Sequence, residues 1–201
     1  KITKSNCYIL ADTSSAVIID PNHFASIEAC LKERHLKPDW VLLTHEHCDH
    51  ISGLNELRSH YTTKVLASSS CSAGIQSTTI NMTRIMESYL YFKSNGKVLT
   101  SYPKFTCNPA DVTFQTSYYF RWKSHEFSIT SAPGHTPGSV CIIVDNDALF
   151  SGDYFIPGEE VITRLPGGDE EAYEKYGKDA LRTLPDPILT YPGHGKPFVL
   201  T

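Results

Sequence analysis

The sequence predicts a layered α/β fold in which helices cover sheets, and two observations carry that prediction. Short apolar runs of strand length alternate with segments of helical period, and a second strand-rich block follows a long excursion. Periodicity leaves open whether the strands form one sheet or two facing sheets.

Cys7-Tyr8-Ile9-Leu10 and Ala16-Val17-Ile18-Ile19 read as short strands separated by the turn residues Asp12-Thr13-Ser14-Ser15, an opening hairpin. From Ala25 to His35, the residues Ala25, Ile27 and Leu31 fit the buried side of a helix with charges opposite, and Pro38 ends it. Trp40-Val41-Leu42-Leu43 is a buried strand that delivers the chain to His45, and Ile51, Leu54 and Leu57 mark one face of the helix that follows. Val65-Leu66-Ala67 is a strand, and Met82 to Phe92 is dense enough in apolar residues for another helix. Phe127 to Thr130, Val140 to Val144 and Ala148 to Phe150 read as strands, with Asp145-Asn146-Asp147 as a turn. Glu170 to Leu184 suggests a helix broken by Gly177, and Ile188-Leu189-Thr190 is a last strand leading to His194.

At 201 residues the chain fits one domain, 1–201, with an irregular or helical excursion at about 74–123 where Pro103 and Pro109 interrupt every period. Lysine and arginine total 18 against 22 aspartates and glutamates, with no basic run, so nucleic acid is not an expected partner. The six cysteines are far apart and form no CxxC pair, which suggests a reducing compartment and a cytoplasmic location. No apolar stretch reaches membrane-spanning length, and no long apolar signal core follows Lys1 to Asn6. The expected partner is a small-molecule substrate, anionic if the metal site keeps residual positive charge.

The chemistry concentrates in Thr44-His45-Glu46-His47-Cys48-Asp49-His50, three imidazoles and a carboxylate at one strand end. Two later corners, Pro133-Gly134-His135-Thr136-Pro137-Gly138-Ser139 and Tyr191-Pro192-Gly193-His194-Gly195, each set one histidine among glycines and prolines, and Ser151-Gly152-Asp153 ends an apolar run with an acid. A catalytic zinc takes three protein ligands and an open water position. His45, His47 and His135 supply one such set, Asp49, His50 and His194 a second, and Asp153 bridges both, with a water or hydroxide between the ions. The expected cofactor is therefore two divalent metal ions, zinc first, with manganese or iron as alternatives. Asp49 and Asp153 are the catalytic candidates, since they orient the nucleophile. Glu46 and Cys48 alternate with the ligands and should point away. His23, His35, His60 and His125 have no comparable neighbours and stay outside the set. Arg121, Lys123 and Arg164 read as ordinary solvated charges. The aromatic runs Tyr89 to Phe92 and Tyr118 to Trp122 read as core packing or a subunit contact ahead of a cavity lining.

These motifs, in this order along the chain, resemble the metallo-β-lactamase fold superfamily. The resemblance implies an αββα sandwich, two mixed sheets face to face with helices outside and the metals at the sheet edge, and it assigns the seven residues to the two sites as above. Within the superfamily the chain is most similar to the glyoxalase II-like hydrolases, through Leu149-Phe150-Ser151-Gly152-Asp153 and Arg164-Leu165-Pro166-Gly167-Gly168-Asp169. With Thr201 as its last residue the chain is expected to lack the carboxyl-terminal helical portion that helps hold glutathione in glyoxalase II, so the resemblance implies metal-assisted hydrolysis without implying glutathione thioester specificity.

The implied activity is hydrolysis of a thioester or related ester or lactone by a hydroxide held between two metals. The resemblance makes a true β-lactamase unexpected, because an acid bridging both zincs belongs to the other branches. Three alternatives accompany it: a mononuclear iron persulfide dioxygenase using two histidines and one carboxylate, a phosphodiesterase, and a non-catalytic sensor or partner-binding protein.

Overall fold

The computed structural model describes residues 4–178, 182 and 184–201. One sheet holds β1 (Tyr8–Asp12), β2 (Ser15–Ile19), β3 (Lys37–Leu42), β4 (Lys64–Ser68) and β5 (Val112–Phe114), side by side in chain order. β1 and β2 form the expected antiparallel hairpin, and β2 to β5 run parallel. The other sheet holds β6 (Ser117–Trp122), β7 (His125–Ser131), β8 (Val140–Val144), β9 (Ala148–Gly152), β10 (Ile188–Pro192) and β11 (Phe198–Leu200), again neighbour to neighbour. Its pairs are antiparallel except β9 with β10.

Side-chain alternation explains why the two sheets face each other. Successive residues of a strand point to opposite faces. Val17 and Ile19 of β2 join Leu42, Leu66, Phe127, Ile129, Ile142, Val144 and Phe150 in the core between the sheets. Ala16 and Ile18, one position out of phase, pack instead with Val41, Val65 and Ala67 against helical residues Ile27, Leu31, Ile51, Leu54 and Leu57. On the far face of the second sheet, Cys141, Leu149 and Ile188 pack with Ala132 and Tyr154. Strands buried on both faces read as unbroken apolar runs, so the pattern of Ala16 to Ile19 needs this double cover. The result is an α/β sandwich of two mixed sheets flanked by helices, as the resemblance implies.

The outer layer includes α1 (Phe24–Glu33), α2 (Cys48–Ile51), α3 (Leu54–His60), α4 (Ser69–Gly74), α5 (Met86–Lys93) and α6 (Glu170–Ala172), the last running into a π turn, Tyr173–Gly177. α1 stops before the expected end because His35 takes a left-handed φ of 54°, and Pro38 lies inside β3 instead of terminating the helix. The helix after the His/Asp motif is two pieces. They meet at Gly53, where a Cβ would stand 2.7 Å from the backbone nitrogen of Phe24, so the corner fits only a residue without a side chain.

The 74–123 excursion holds one helix and two strands. α5 begins four residues after Met82, and β5 and β6 answer to no strand in the sequence reading. Tyr118, Phe120 and Trp122 turn into the inter-sheet core, with Phe120 stacked on Phe127 at 4.7 Å; that run is core and does not line the cavity. Of the other aromatic run, Tyr89 reaches the cavity, whereas Tyr91 and Phe92 are exposed. Asp179 to Leu181 and Thr183, within the helix expected over Glu170 to Leu184, lie outside the described residues, as do Lys1 to Thr3. All six cysteines are free, four of them buried. No helix among the described residues is long and apolar enough to cross a membrane.

Candidate metal centre

Parallel strands β2 and β3 in one sheet, and β9 and β10 in the other, end along one edge of the sandwich. Ligand sites in α/β sheets form at such carboxyl ends, where backbone leaves the ladder and side chains converge. β2 delivers Asp20, β3 the Thr44 to His50 segment, β9 Asp153 and β10 His194, while His135 comes from the connection between β7 and β8. Two backbone bonds lock these pieces: Val140 donates to the Thr44 carbonyl at 2.9 Å, and Gly193 to that of Gly152 at 2.7 Å. Gly193 is required by contact, since a Cβ there would lie 2.2 Å from Asp153 Oδ1.

The structure brings all seven sequence-predicted residues together. The nitrogens of His45, His47 and His135 form one group, and Asp49, His50 and His194 another, each with its donor atoms within 4.8 Å of one another. His47 Nδ1 is 3.1 Å from His135 Nε2. Asp153 stands between the groups: Oδ2 is 3.6 Å from His135 Nε2 and 3.4 Å from His194 Nε2, and Oδ1 is 3.3 Å from His50 Nε2. Asp49 Oδ2 is 3.5 Å from His194 Nε2. Two ligands on a tetrahedral zinc, each about 2.0–2.2 Å from the ion, are separated by about 3.3 Å. The observed spacings are of that size.

The donors are also starved of partners in a way that suits a metal. Among the described residues, the buried atoms His45 Nε2 and His47 Nε2 have no hydrogen-bond partner, and His50 Nε2 and Asp153 Oδ1 meet only each other, at 3.3 Å. Buried polar atoms without partners are costly, and a cation is what neutral imidazole nitrogens and carboxylate oxygens can share.

The far nitrogens explain which face each ring offers. His135 Nδ1 lies 2.8 Å from the Ile162 carbonyl, which can only accept, so that nitrogen carries the proton and Nε2 is left as the ligand atom. His50 Nδ1 lies 2.9 Å from Asp20 Oδ2. His45 Nδ1 meets Thr44 Oγ1 at 3.0 Å, and that hydroxyl in turn donates to Asp20 Oδ2 at 2.6 Å. Asp20 therefore orients one histidine from each group. Asp20 is absent from the predicted set, although Ile18-Ile19-Asp20 ends a buried strand with an acid just as Phe150 to Asp153 does. It also groups geometrically with His45 and His50, yet its Oδ atoms are engaged by Thr44 and the His50 Nδ1 side, so its part is orientation.

Electrostatics divide the histidines. Burial, with the neighbouring histidines, holds His45 and His47 well below their ordinary range, and burial lowers His135 against the pull of Asp153. These rings are neutral, the form that ligates. Burial also presses on His50 and His194, but Asp153 and Asp49 outweigh it and raise both. Burial likewise opposes ionisation of Asp153, and His50 and His194 overcome it and keep the carboxyl well below its usual range. The carboxylate side of the centre thus attracts positive charge.

Glu46 and Cys48 point away from the ligands, as their alternation predicts. Glu46 is fully buried against Gly74 and Gly138, accepts from Thr136 Oγ1 at 3.0 Å, and is pushed up to about 7 by burial. Cys48 packs with Met82, Met86 and Leu90, and burial together with Asp49 pushes its thiol up to about 12, so it stays protonated and is no thiolate ligand.

A small cavity of about 130 Å³ opens over His47, Asp49, His135, Asp153 and His194. Met82, Met86, Ile156, Ile162 and Leu165 line its apolar wall, and Tyr89, Lys93, Lys4 and Glu159 its mouth.

Comparison with known proteins agrees with this geometry. A family model described as the metallo-beta-lactamase superfamily matches residues 2–194. The chain is 29% identical over 194 residues to the probable metallo-hydrolase YqgX of Bacillus subtilis (strain 168), covering 96% of this chain and 85% of that one. It is 26% identical over 204 residues to hydroxyacylglutathione hydrolase GloC of Haemophilus influenzae, covering 96% and 86%. Among solved structures it is similar to the BLEG-1 B3 metallo-beta-lactamase, with a TM-score of 0.80, 28% identity, and 98% and 89% of the two chains covered. It also shares the fold of TTHA1623 in a di-iron-bound form, with a TM-score of 0.71, 24% identity, and 97% and 89% covered.

Proposed function

We propose, since this chain belongs to the metallo-β-lactamase superfamily, that it is a metal-dependent hydrolase of a thioester or a related ester or lactone. The observation that carries this reading is the position of Asp153, whose Oδ2 lies 3.6 Å from His135 Nε2 and 3.4 Å from His194 Nε2, one from each donor group. His45, His47 and His135 would hold one ion, Asp49, His50 and His194 the other, and Asp153 would touch both. Zinc suits this donor set first, and manganese or iron also fits it. Bound metal lowers the pKa of water from about 15.7 toward about 7 and polarises a carbonyl.

The rest of the chemistry falls to the chain. Asp153 and Asp49 would orient the attacking water beside the ions, and its proton would pass by way of one of these carboxylates to the departing thiolate or alkoxide. Asp20, through Thr44 and directly through His50, keeps two ligand rings from rotating. The apolar wall of Met82, Met86, Ile156, Ile162 and Leu165 keeps bulk water from one side of the substrate, and hydrogen bonds to a developing oxyanion strengthen in such surroundings. Likeness to a hydroxyacylglutathione hydrolase supports a thioester as the bond cleaved.

A β-lactam is the second reading, favoured by the likeness to BLEG-1. It ranks second because the enclosed space of about 130 Å³ is well below the roughly 300–1,000 Å³ of pockets that enclose drug-sized ligands. The test is turnover by protein loaded separately with zinc, manganese and iron, against acyl thioesters, lactones, a β-lactam and a model phosphodiester. Thioester cleavage that disappears on chelation and returns with metal is expected. Cleavage of the β-lactam or phosphodiester with thioesters untouched would sink the proposal.

A further inference from the structure

We infer that Lys93 selects substrates carrying an anionic tail, which it meets at the mouth of the cavity while the scissile acyl group lies below against the methionine wall; this rests on the hydrolase reading above. Three features of the mouth point there. The enclosed part of the cavity is small and apolar on one side, which fits a short acyl group and leaves any charged portion of a substrate at the rim. Lys93 closes α5, the helix that also supplies Met86 and Tyr89 to the cavity, so its position is set by the same element. Its Nζ lies 3.1 Å from Tyr89 Oη and 5.4 Å from the centre of that ring. The long side chain is thereby folded back along the helix, where it borders the opening and remains exposed to solvent.

The ammonium faces carboxylates only at a distance, since Glu159 and Asp49 act on it without closing an ion pair. Among the described residues Lys93 makes no ion pair, and its one hydrogen-bond partner is a phenol. The carboxylates nearest the floor, Asp49 and Asp153, already face histidines. Glu159 shares the rim and acts on the Lys93 ammonium without closing an ion pair, so an anionic tail would displace Glu159 as the nearest negative charge. Lys4 stands at the mouth as a second cation, but among the described residues it has no hydrogen bond of the kind that ties Lys93 to Tyr89.

The experiment compares two acetyl thioesters that differ only in the tail, those of 3-mercaptopropionate and 3-mercaptopropanamide, and the binding of the two free thiols to metal-loaded protein by calorimetry. Thiolates are metal ligands in their own right, so the binding arm needs no turnover. Wild type should prefer the carboxylate in both arms. Lys93→Met should lower that preference by about fivefold, the upper range for a partly exposed ion pair, through KM rather than kcat. Lys93→Arg should restore most of it, and the wild-type preference should shrink at about 0.5 M salt as screening shortens. Equal binding of the two thiols to wild type would overturn the inference, as would a loss caused by Lys4→Met and absent in Lys93→Met. If the thiols show the Lys93-dependent preference but no thioester, ester or lactone is cleaved under any metal loading, the hydrolase reading fails and the role of Lys93 stands. If thioesters are cleaved without regard to the tail, the reverse holds.

Discussion

Single residues decide whether this centre holds metal in a catalytic geometry, and Asp20 is the most exposed to test. It sits at the end of β2 with φ 53°, accepts from the Thr44 amide at 2.8 Å and hydroxyl at 2.6 Å, and faces His50 Nδ1 at 2.9 Å. Asn tolerates that backbone conformation, so Asp20→Asn keeps the shape while turning one acceptor into a donor. Loss of such an outer partner costs about 10- to 100-fold in metal affinity. Because Asp20 serves a ring from each group, both ions should be retained less well in competition with a chelator; a variant that keeps both as tightly as wild type would rule out this role. The seven ligand candidates were legible because each motif joins a ligating residue to turn residues at a strand end. Asp20 obeys the same rule, with Pro21 and Asn22 after it, but it matches none of the motifs that carry the family resemblance, and only folding shows that it faces Thr44 and His50.

At the scale of elements, the second donor group depends on a clasp outside the sheets. Residues before β1 run along the loop that carries His194: the Asn6 amide donates to the Gly193 carbonyl at 2.7 Å, and Asn6 Nδ2 reaches the carbonyls of Pro192 and Gly195, each at 2.9 Å. Ser5 Oγ donates to the Asp49 carbonyl at 2.6 Å, and Tyr8 Oη to that of Pro192 at 2.7 Å. Each such bond contributes about 0.5–1.5 kcal/mol net. Asn6→Ala should therefore cost about 1–3 kcal/mol of local order and reduce occupancy of the His194 ion before that of the His45 ion. Metal content measured during stepwise dialysis checks this, and equal loss from both positions would refute it. Elements were legible in proportion to their regularity. The hairpin, β4 and β8 read cleanly as apolar runs, and β3 did so only from Trp40 on, since Pro38 read as a helix stop. β6 was missed as a strand although Tyr118, Phe120 and Trp122 alternate inward with Tyr119 and Arg121 outward: the run was read for its aromatic bulk, as core packing or a subunit contact, and its period of two went unused. α4 is made of small residues with no apolar stripe, and Ser68 starts it by accepting from the Cys71 amide at 3.1 Å, a signal of one residue.

The whole molecule couples metal to stability, because the two sheets meet at the centre. Periodicity alone could not separate two facing sheets from one, since residues facing the other sheet and residues facing helices are equally apolar; two sheets were expected only through the family resemblance that the ligand motifs carry, and the structure shows β3 in one sheet and β9 and β10 in the other. His45, His47 and His50 follow the first sheet and Asp153 and His194 the second. Ions held by both therefore bind the folded chain and have no comparable site in the unfolded one. Stabilisation then grows by about 1.4 kcal/mol for each tenfold excess of free metal over Kd. For a chain of this size 1 kcal/mol moves Tm by about 2–4 °C, so each tenfold step should raise it by about 3–6 °C. Chelation should lower Tm by the full amount, and His194→Ala should flatten the second part of the titration while leaving the first, since His45, His47 and His135 remain. A melting temperature indifferent to zinc, manganese and iron would mean that the seven side chains do not hold metal across the two sheets, whatever their spacing.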